Sequence, residues 1–299
     1  MDLFAIVNPL SGAGANPDAA AERTALLMRH FVQAGITGGV HVTERRGHAT
    51  ELAAGAIKLG ARIVLAWGGD GTINEIASVV TGTETSLAVV PAGSGNGFAG
   101  DLSIPWDPGS AIDVAIRGRD RAIDAGEING RLFFNIAGIG IDAAIAEQFN
   151  VQGKLGRRGL GPYFRIGLRE CFRYRAKHYR VTLDGDSFAV DALVIAFANG
   201  REYGNRLRLA PSARMDDGRL EALVVNDRPP LSRLLAMRHL ALGTADRAPG
   251  VIHRSMTSAV VETEGEILYH VDGEIGRARD RVQVRIRPGA LRVRVPLVR

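Results

Sequence analysis

Gly68-Gly69-Asp70-Gly71-Thr72 sets a carboxylate among glycines, a combination suited to handling phosphate. Glycines let a ligand approach the backbone, and a helix start presents amide N–H groups at the positive end of the helix dipole. A carboxylate repels phosphate unless a metal ion or a reacting proton accompanies it. The run therefore points to a nucleotide-phosphate site with Mg²⁺ or general-base chemistry attached. A glycine-rich turn capped by aspartate has the same letters, so the neighbouring segments must decide.

Those neighbours repeat the pattern. The run follows an apolar stretch over 62–67 and precedes a helix over 73–80. The chain opens with a buried-type strand, 3–7, followed by Asn8-Pro9-Leu10-Ser11-Gly12-Ala13-Gly14. A third loop, Pro91-Ala92-Gly93-Ser94-Gly95-Asn96-Gly97, follows the strand 87–90. In an open parallel sheet, ligands bind where such loops converge, at the carboxyl ends of strands. There is no Gly-x-x-x-x-Gly-Lys-Ser/Thr run, which excludes a P-loop kinase.

The spacing predicts helices over 19–34 and 48–59, with a strand over 39–42 between them. This alternation implies a doubly wound parallel sheet. A strand near 120–127 closes that region, so an α/β domain is expected over 1–128. After Arg131, period-two runs dominate: 179–183, 188–198, 219–225, 258–262 and 282–286. They imply a β-rich second domain over 129–286, with antiparallel sheets.

Composition sets bounds. A chain of 299 residues can bury a large core and form two domains. No apolar run is long enough to span a bilayer, and the chain enters a strand at once without a signal-peptide pattern. The single cysteine, Cys171, reads as a packing residue and permits no internal disulfide. Net charge is +5, which suits phosphorylated ligands or anionic membranes. No nucleic-acid-binding signature is present, so nucleic acid is not an expected partner.

Asn-Pro-x-Ser-Gly, Gly-Gly-Asp-Gly-Thr-x-Asn-Glu and Pro-x-Gly-Ser-Gly-Asn together resemble the diacylglycerol and sphingosine lipid-kinase family. The resemblance continues through Phe134 to Asp142, through Ala210 to Gly218, and to Val271-Asp272-Gly273-Glu274. It implies an α/β nucleotide domain related to NAD kinases and phosphofructokinases, a C-terminal β-sandwich domain, and a cleft between them. It also implies that the tail, about 287–299, packs back on the first domain. One departure stands out. Bacterial diacylglycerol kinases usually carry Asn-Asp in the third loop, whereas Gly97 follows Asn96 here, as in the sphingosine and ceramide kinase versions.

The resemblance places ATP on Asn8, Pro9, Leu10, Ser11 and Gly12, on Gly69, Asp70, Gly71, Thr72, Ile73, Asn74 and Glu75, and on Ser94. Thr43 also fits a nucleotide contact, although a helix-cap threonine reads equally well. Asp70 is the candidate for catalytic Mg²⁺ or for proton acceptance. Asp124, at the end of Ala122-Ile123-Asp124, is implied in the water network around that ion. Asp216-Asp217-Gly218 reads by itself as a solvated turn. The resemblance makes it a structural Mg²⁺ site, with the Asp217 carboxylate and the carbonyls of Arg214 and Arg219 as ligands, an all-oxygen set suited to a hard cation. Asp272-Gly273-Glu274 reads by itself as a β-turn. The resemblance makes Glu274 the proton acceptor for a lipid hydroxyl, with Asp272 beside it as a second catalytic carboxylate. Two carboxylates on one cleft raise one pKa, as a base requires.

The segment 154–180 carries nine Lys/Arg against the single acid Glu170. Arg165, Arg169 and Arg173 form a basic stripe beside Phe164, Leu168 and Phe172, suited to an anionic membrane surface or to an ordinary helix with a solvated face. The expectation is an ATP- and Mg²⁺-dependent lipid kinase, cytoplasmic and peripheral at the membrane, with a homodimer as a candidate assembly. The alternatives are a kinase of a soluble hydroxyl substrate, as in NAD kinases, or a catalytically silent nucleotide-binding protein.

Overall fold

The computed structural model describes residues 1–12, 17–93, 95–154, 169–170, 173–202, 208–229, 232–233, 239 and 242–297. Ser94, Cys171 and most of the 154–180 stripe (Phe164, Arg165, Leu168 and Phe172) lie outside the described residues. The chain packs as two units, Met1–Ile123 with Gly289–Arg299, and Asp124–Pro288.

In the first unit the order is β1 (Leu3–Val7), α1 (Pro17–Ala34), β2 (Gly38–Val42), α2 (His48–Lys58), β3 (Ile63–Gly68), α3 (Asp70–Val80), β4 (Ser86–Pro91), α4 (Gly97–Asp101) and α5 (Pro108–Arg117). Strands β2, β1, β3 and β4 lie side by side, all parallel. β1 reads Leu-Phe-Ala-Ile-Val and is buried throughout, as a strand covered by helices on both faces must be. Leu27 and Phe31 of α1 are buried, as are Ala49, Ala53 and Ala56 of α2 and Ile73, Ile76 and Val80 of α3. α5 has a clear start signal. The Asp107 carboxylate accepts the Ser110 N–H at 2.8 Å, and Pro108 opens the helix.

β5 (Arg119–Ile128) leads into the second unit, followed by β6 (Arg131–Phe133), β7 (Ile136–Gly140), α6 (Ile141–Lys154), β8 (Lys177–Leu183), β9 (Asp186–Ala198), β10 (Leu220–Asn226), β11 (Val251–Met256), β12 (Ser258–Val271) and β13 (Glu274–Val295). β11, β10, β9, β7, β12 and β13 pair in that order, each antiparallel to the next. β8 pairs with both β9 and β12. One core gathers Phe133, Tyr179, Phe197, Leu220, Met256 and Val282.

β12 and β13 run well beyond the expected segments 258–262 and 282–286. The register shifts between Glu262 and Glu266, where Gly265 takes φ 85° and Asp280 takes φ 59°. The Asp280 carboxylate accepts the Gly265 N–H at 2.6 Å. This charged irregularity hides the continuing ladder from a reading based on alternation. Beyond Gly289 the chain belongs to the first unit, where Val293 pairs parallel with Leu87 and Arg294 bonds the carbonyls of Ala115 and Ile116.

Candidate functional site

In the first unit the three small-residue loops interlock. Asn8 ends β1 and donates its side-chain N–H to Thr72 Oγ1 at 2.8 Å, joining the first loop to the start of α3. Its Oδ1 accepts the Leu10 N–H at 3.0 Å and its carbonyl accepts the Ser11 hydroxyl at 2.8 Å. The Asn-Pro turn is therefore real, and it also shapes the loop. The second loop opens α3 at Asp70. Its cap residue, Gly69, is extended at φ −89° and supplies no side-chain cap bond. The first amides of α3 thus lack carbonyl partners within the helix.

The third loop is held by Asn96. Its Oδ1 accepts the Gly93 N–H at 2.8 Å, and its Nδ2 donates to the Gly93 carbonyl at 2.7 Å. Its own N–H donates to Asp70 Oδ2 at 2.9 Å. Asn96 is buried, with φ 49°, a left-handed conformation that asparagine tolerates. The glycines are required by proximity. A Cβ on Gly93 would lie 2.8 Å from Gly69 Cα, and a Cβ on Gly12 would lie 2.7 Å from the Ala92 carbonyl oxygen. So Asn8 through Gly12, Gly69 through Thr72, and Asn96 form one surface at the carboxyl ends of β1, β3 and β4. Thr43, just past β2, donates its N–H to the Val7 carbonyl. Glu75 accepts the Gly47 N–H at 3.3 Å, tying α3 to the loop after β2. Ile73 packs inward and is buried, while Asn74 is partly exposed one position on.

Arg23 is a member of this surface that the sequence did not mark. From α1 its guanidinium donates to the Asn8 carbonyl at 2.6 Å, to Ser11 Oγ at 3.1 Å and to the Ser11 carbonyl at 2.7 Å. It lies 5.5 Å from the centre of the Trp67 ring, a cation–π distance. Burial lowers its pKa from the ordinary arginine value. No motif surrounds Arg23 in sequence, and only the fold brings it to the first loop.

In the second unit the acidic candidates stand on a hydrogen-bonded backbone. Asp124 is buried, and its Oδ2 accepts the Gly218 N–H at 2.7 Å. Its N–H donates to the Met215 carbonyl, and Asn199 donates to the carbonyls of both Asp124 and Phe134 at 2.9 Å. Asp124 therefore fixes the loop that carries Arg214, Asp217 and Arg219. In that loop Asp217 is exposed, and its Oδ1 accepts the Arg219 N–H at 3.0 Å. Among the described residues no group of three or more His, Cys, Asp or Glu side chains is arranged to hold a metal. The loop instead carries the carboxylates of Asp216 and Asp217 beside backbone carbonyls, oxygen donors of the kind a hard cation such as Mg²⁺ takes.

Asp272 and Gly273 form the two-residue turn between β12 and β13, at φ 47° and 87°. Asp272 Oδ2 accepts the Phe134 N–H at 2.9 Å, and Oδ1 accepts those of Asn135 and Ile136 at 3.0 Å. The expected second catalytic carboxylate thus has a backbone-binding role in the fold. Asp272 binds the backbone leading into β7 and thereby anchors the turn. Glu274 follows, half-buried at the start of β13. The arginines of β13 are matched by acids: Arg277 by Glu147 and Glu266, Arg279 by Asp280, Arg281 by Glu262, and Arg285 and Arg287 by Glu127.

Residues 2–128 match the diacylglycerol kinase catalytic domain, and residues 135–295 match the YegS C-terminal NAD kinase beta sandwich-like domain. A Klebsiella pneumoniae protein named "Probable lipid kinase YegS-like" is 30% identical over 290 residues, covering 96% of this chain and 94% of its own. A Chromohalobacter salexigens protein of the same name is 30% identical, covering 88% and 86%. A crystal structure of a Bacillus anthracis chain assigned to the diacylglycerol kinases superposes with a TM-score of 0.82 at 22% identity, covering 98% and 95%. The fold class is the expected one, an α/β domain followed by an NAD kinase-like β-sandwich domain.

Proposed function

The chain belongs to the diacylglycerol kinase catalytic-domain family of YegS-type lipid kinases, and from that premise we propose that it transfers the γ-phosphoryl group of ATP to a lipid hydroxyl. The observation that carries this reading is the interlock of three glycine loops around Asp70. Gly69 meets Gly93 backbone to backbone, and Asn96 bonds Asp70. Such a surface lets phosphate oxygens reach main-chain N–H groups and sets one carboxylate beside them.

Phosphoryl transfer asks a protein chiefly for placement and charge neutralisation. Asn8 to Gly12, Gly69 to Glu75, Thr43 and Ser94 are assigned to the nucleotide, with Arg23 bracing the first loop. Asp70 is assigned to a catalytic Mg²⁺ and Asp124 to its surrounding waters. The loop of Arg214, Asp217 and Arg219 is assigned to a structural Mg²⁺. Bound Mg²⁺ would neutralise charge on the phosphates. Glu274 is assigned the lipid proton, which leaves as the hydroxyl oxygen attacks phosphorus. The substrate is a diacylglycerol-like or sphingoid-like lipid reached from the membrane surface. Among the described residues no helix is long and apolar enough to cross a membrane.

The test is transfer from γ-labelled ATP with Mg²⁺ to micelles of diacylglycerol, sphingosine or ceramide, beside soluble NAD. Label in a lipid is the expected result. Label in NAD alone would replace this reading with the soluble-substrate one. Nucleotide binding without any transfer would make the chain a silent binding protein.

A further inference from the structure

A second buried acid lies behind the Asp272–Gly273 turn. His270, on β12, and Asp142, at the start of α6, are 2% and 8% exposed. Burying an ionisable pair is costly unless each member is bonded, and here each is. Asp142 Oδ1 accepts the Ala143 N–H at 2.8 Å at the N-terminal end of α6, where the helix dipole favours a negative charge. Its Oδ2 lies 3.3 Å from His270 Nε2. On the other side of the ring, Nδ1 accepts the Gly273 N–H at 3.3 Å. Since Nδ1 accepts, the ring proton sits on Nε2 and points at Asp142, a tautomer assigned from its partners.

The sheet makes room for the pair. Gly138 on β7 is the register partner of His270. A Cβ on Gly138 would fall on the Asp142 carboxylate and lie 2.8 Å from His270 Nε2. A glycine inside a buried strand weakens the strand, and here its missing side chain is the space that Asp142 and His270 occupy. The charge of Asp142 is felt by the phenols of Tyr174 and Tyr179. Burial first, and then Tyr174 and Asp142, push the Tyr179 phenol well above its ordinary value. The pair is thus enclosed, away from solvent.

We propose that His270, its ring N–H satisfied by Asp142, braces the Asp272–Gly273 turn through the Gly273 amide and so orients Glu274, making His270 a positioning residue for phosphoryl transfer. The proposal rests on the reading that Glu274 takes the lipid proton. The turn is held at two points. Asp272 ties it to the strand entering β7, and His270 grips the amide of Gly273, one residue before Glu274. Releasing the second grip lets the turn pivot about the first. A displacement near 1 Å at a reacting group costs about a hundredfold in rate.

Three variants test the brace. His270→Gln keeps a donor for Asp142 and loses the acceptor for Gly273. His270→Asn keeps the acceptor and loses the reach to Asp142. Both should melt below wild type by comparable amounts, since each gives up one bond. Their turnover should differ: about ten- to a hundredfold lower kcat for His270→Gln, and most of the wild-type kcat for His270→Asn, with ATP affinity unchanged in both. Added to Glu274→Gln, His270→Gln should lower transfer no further, because it acts through Glu274. Equal loss of kcat in the Gln and Asn variants, an unchanged kcat in His270→Gln, or a further loss in the double variant would each overturn the brace. Full transfer by Glu274→Gln alone would instead remove the underlying base assignment. If His270→Gln does not fold, His270→Asn decides: a kcat lowered tenfold or more with ATP affinity intact overturns the proposal.

Discussion

Gly93→Ala tests the loop interlock most sharply, because a single methyl group enters a space whose dimensions are known. The new Cβ would lie 2.8 Å from Gly69 Cα and 2.8 Å from Asn96 Oδ1. Carbon does not approach carbon that closely, and relief requires several tenths of an ångström of movement. Gly69 is backbone and cannot swing aside. Asn96 cannot yield without releasing either the Gly93 N–H or the Asp70 carboxylate. The third loop must therefore lift from the second. Overpacking of this kind costs about 1–3 kcal/mol of stability. Misplacing phosphate-binding amides should weaken ATP binding by roughly tenfold or more, since a hydrogen bond to a charged group contributes about 1.5–3 kcal/mol. Gly55→Ala is the matched control. Gly55 lies inside α2, and a Cβ there meets nothing within 4 Å. It should gain about 0.5–1 kcal/mol and leave ATP binding unchanged. Calorimetric titration with ATP and Mg²⁺, beside thermal melts of both variants, is the assay. Wild-type ATP affinity in a folded Gly93→Ala protein would refute the assignment of these loops to the nucleotide.

Asp70→Asn keeps an oxygen to accept the Asn96 N–H, so the fold should survive while turnover falls about a hundredfold or more; near-wild-type initial rates at saturating Mg²⁺ would reject its role. Asp217→Ala should remove one Mn²⁺ from soaked crystals without altering ATP affinity, as read by anomalous scattering; no ion at that loop in the wild-type protein would end the structural-metal assignment. Asp272→Ala strands the N–H groups of Phe134, Asn135 and Ile136, and should cost about 1–3 kcal/mol for the unpaired buried donors, measured by urea unfolding; an unchanged midpoint would show that the clamp does not matter.

The sequence made the α/β alternation and the three loops readable because local rules produce both. Apolar strands buried on two faces read as continuous runs, and glycines mark the loops where backbones touch. Other features depend on distant residues. Arg23 reaches Ser11 from a helix whose pattern is ordinary, and Asp272 accepts amides 136 to 138 positions away. Asp272-Gly273-Glu274 reads as a turn and is one, but the number of amides on its first carboxylate is a property of the fold. The length of β12 was concealed by Thr263-Glu264-Gly265, where charge and a left-handed glycine interrupt the alternation. Nothing in the sequence links His270 to Asp142, 128 positions away. Only the pairing of β7 with β12 sets Gly138 beside both.

Single-turnover transfer by Glu274→Gln tests the proposed chemistry most directly. Glutamine matches glutamate in size and keeps a carbonyl oxygen, but it accepts no proton at neutral pH. Enzyme in excess over γ-labelled ATP, mixed with Mg²⁺ and diacylglycerol or sphingosine micelles, isolates the chemical step from product release. The predicted result is unchanged ATP affinity by calorimetry and a transfer rate roughly a hundred- to ten-thousandfold below wild type. A transfer rate equal to wild type in the folded variant would contradict the assignment of Glu274 as the base.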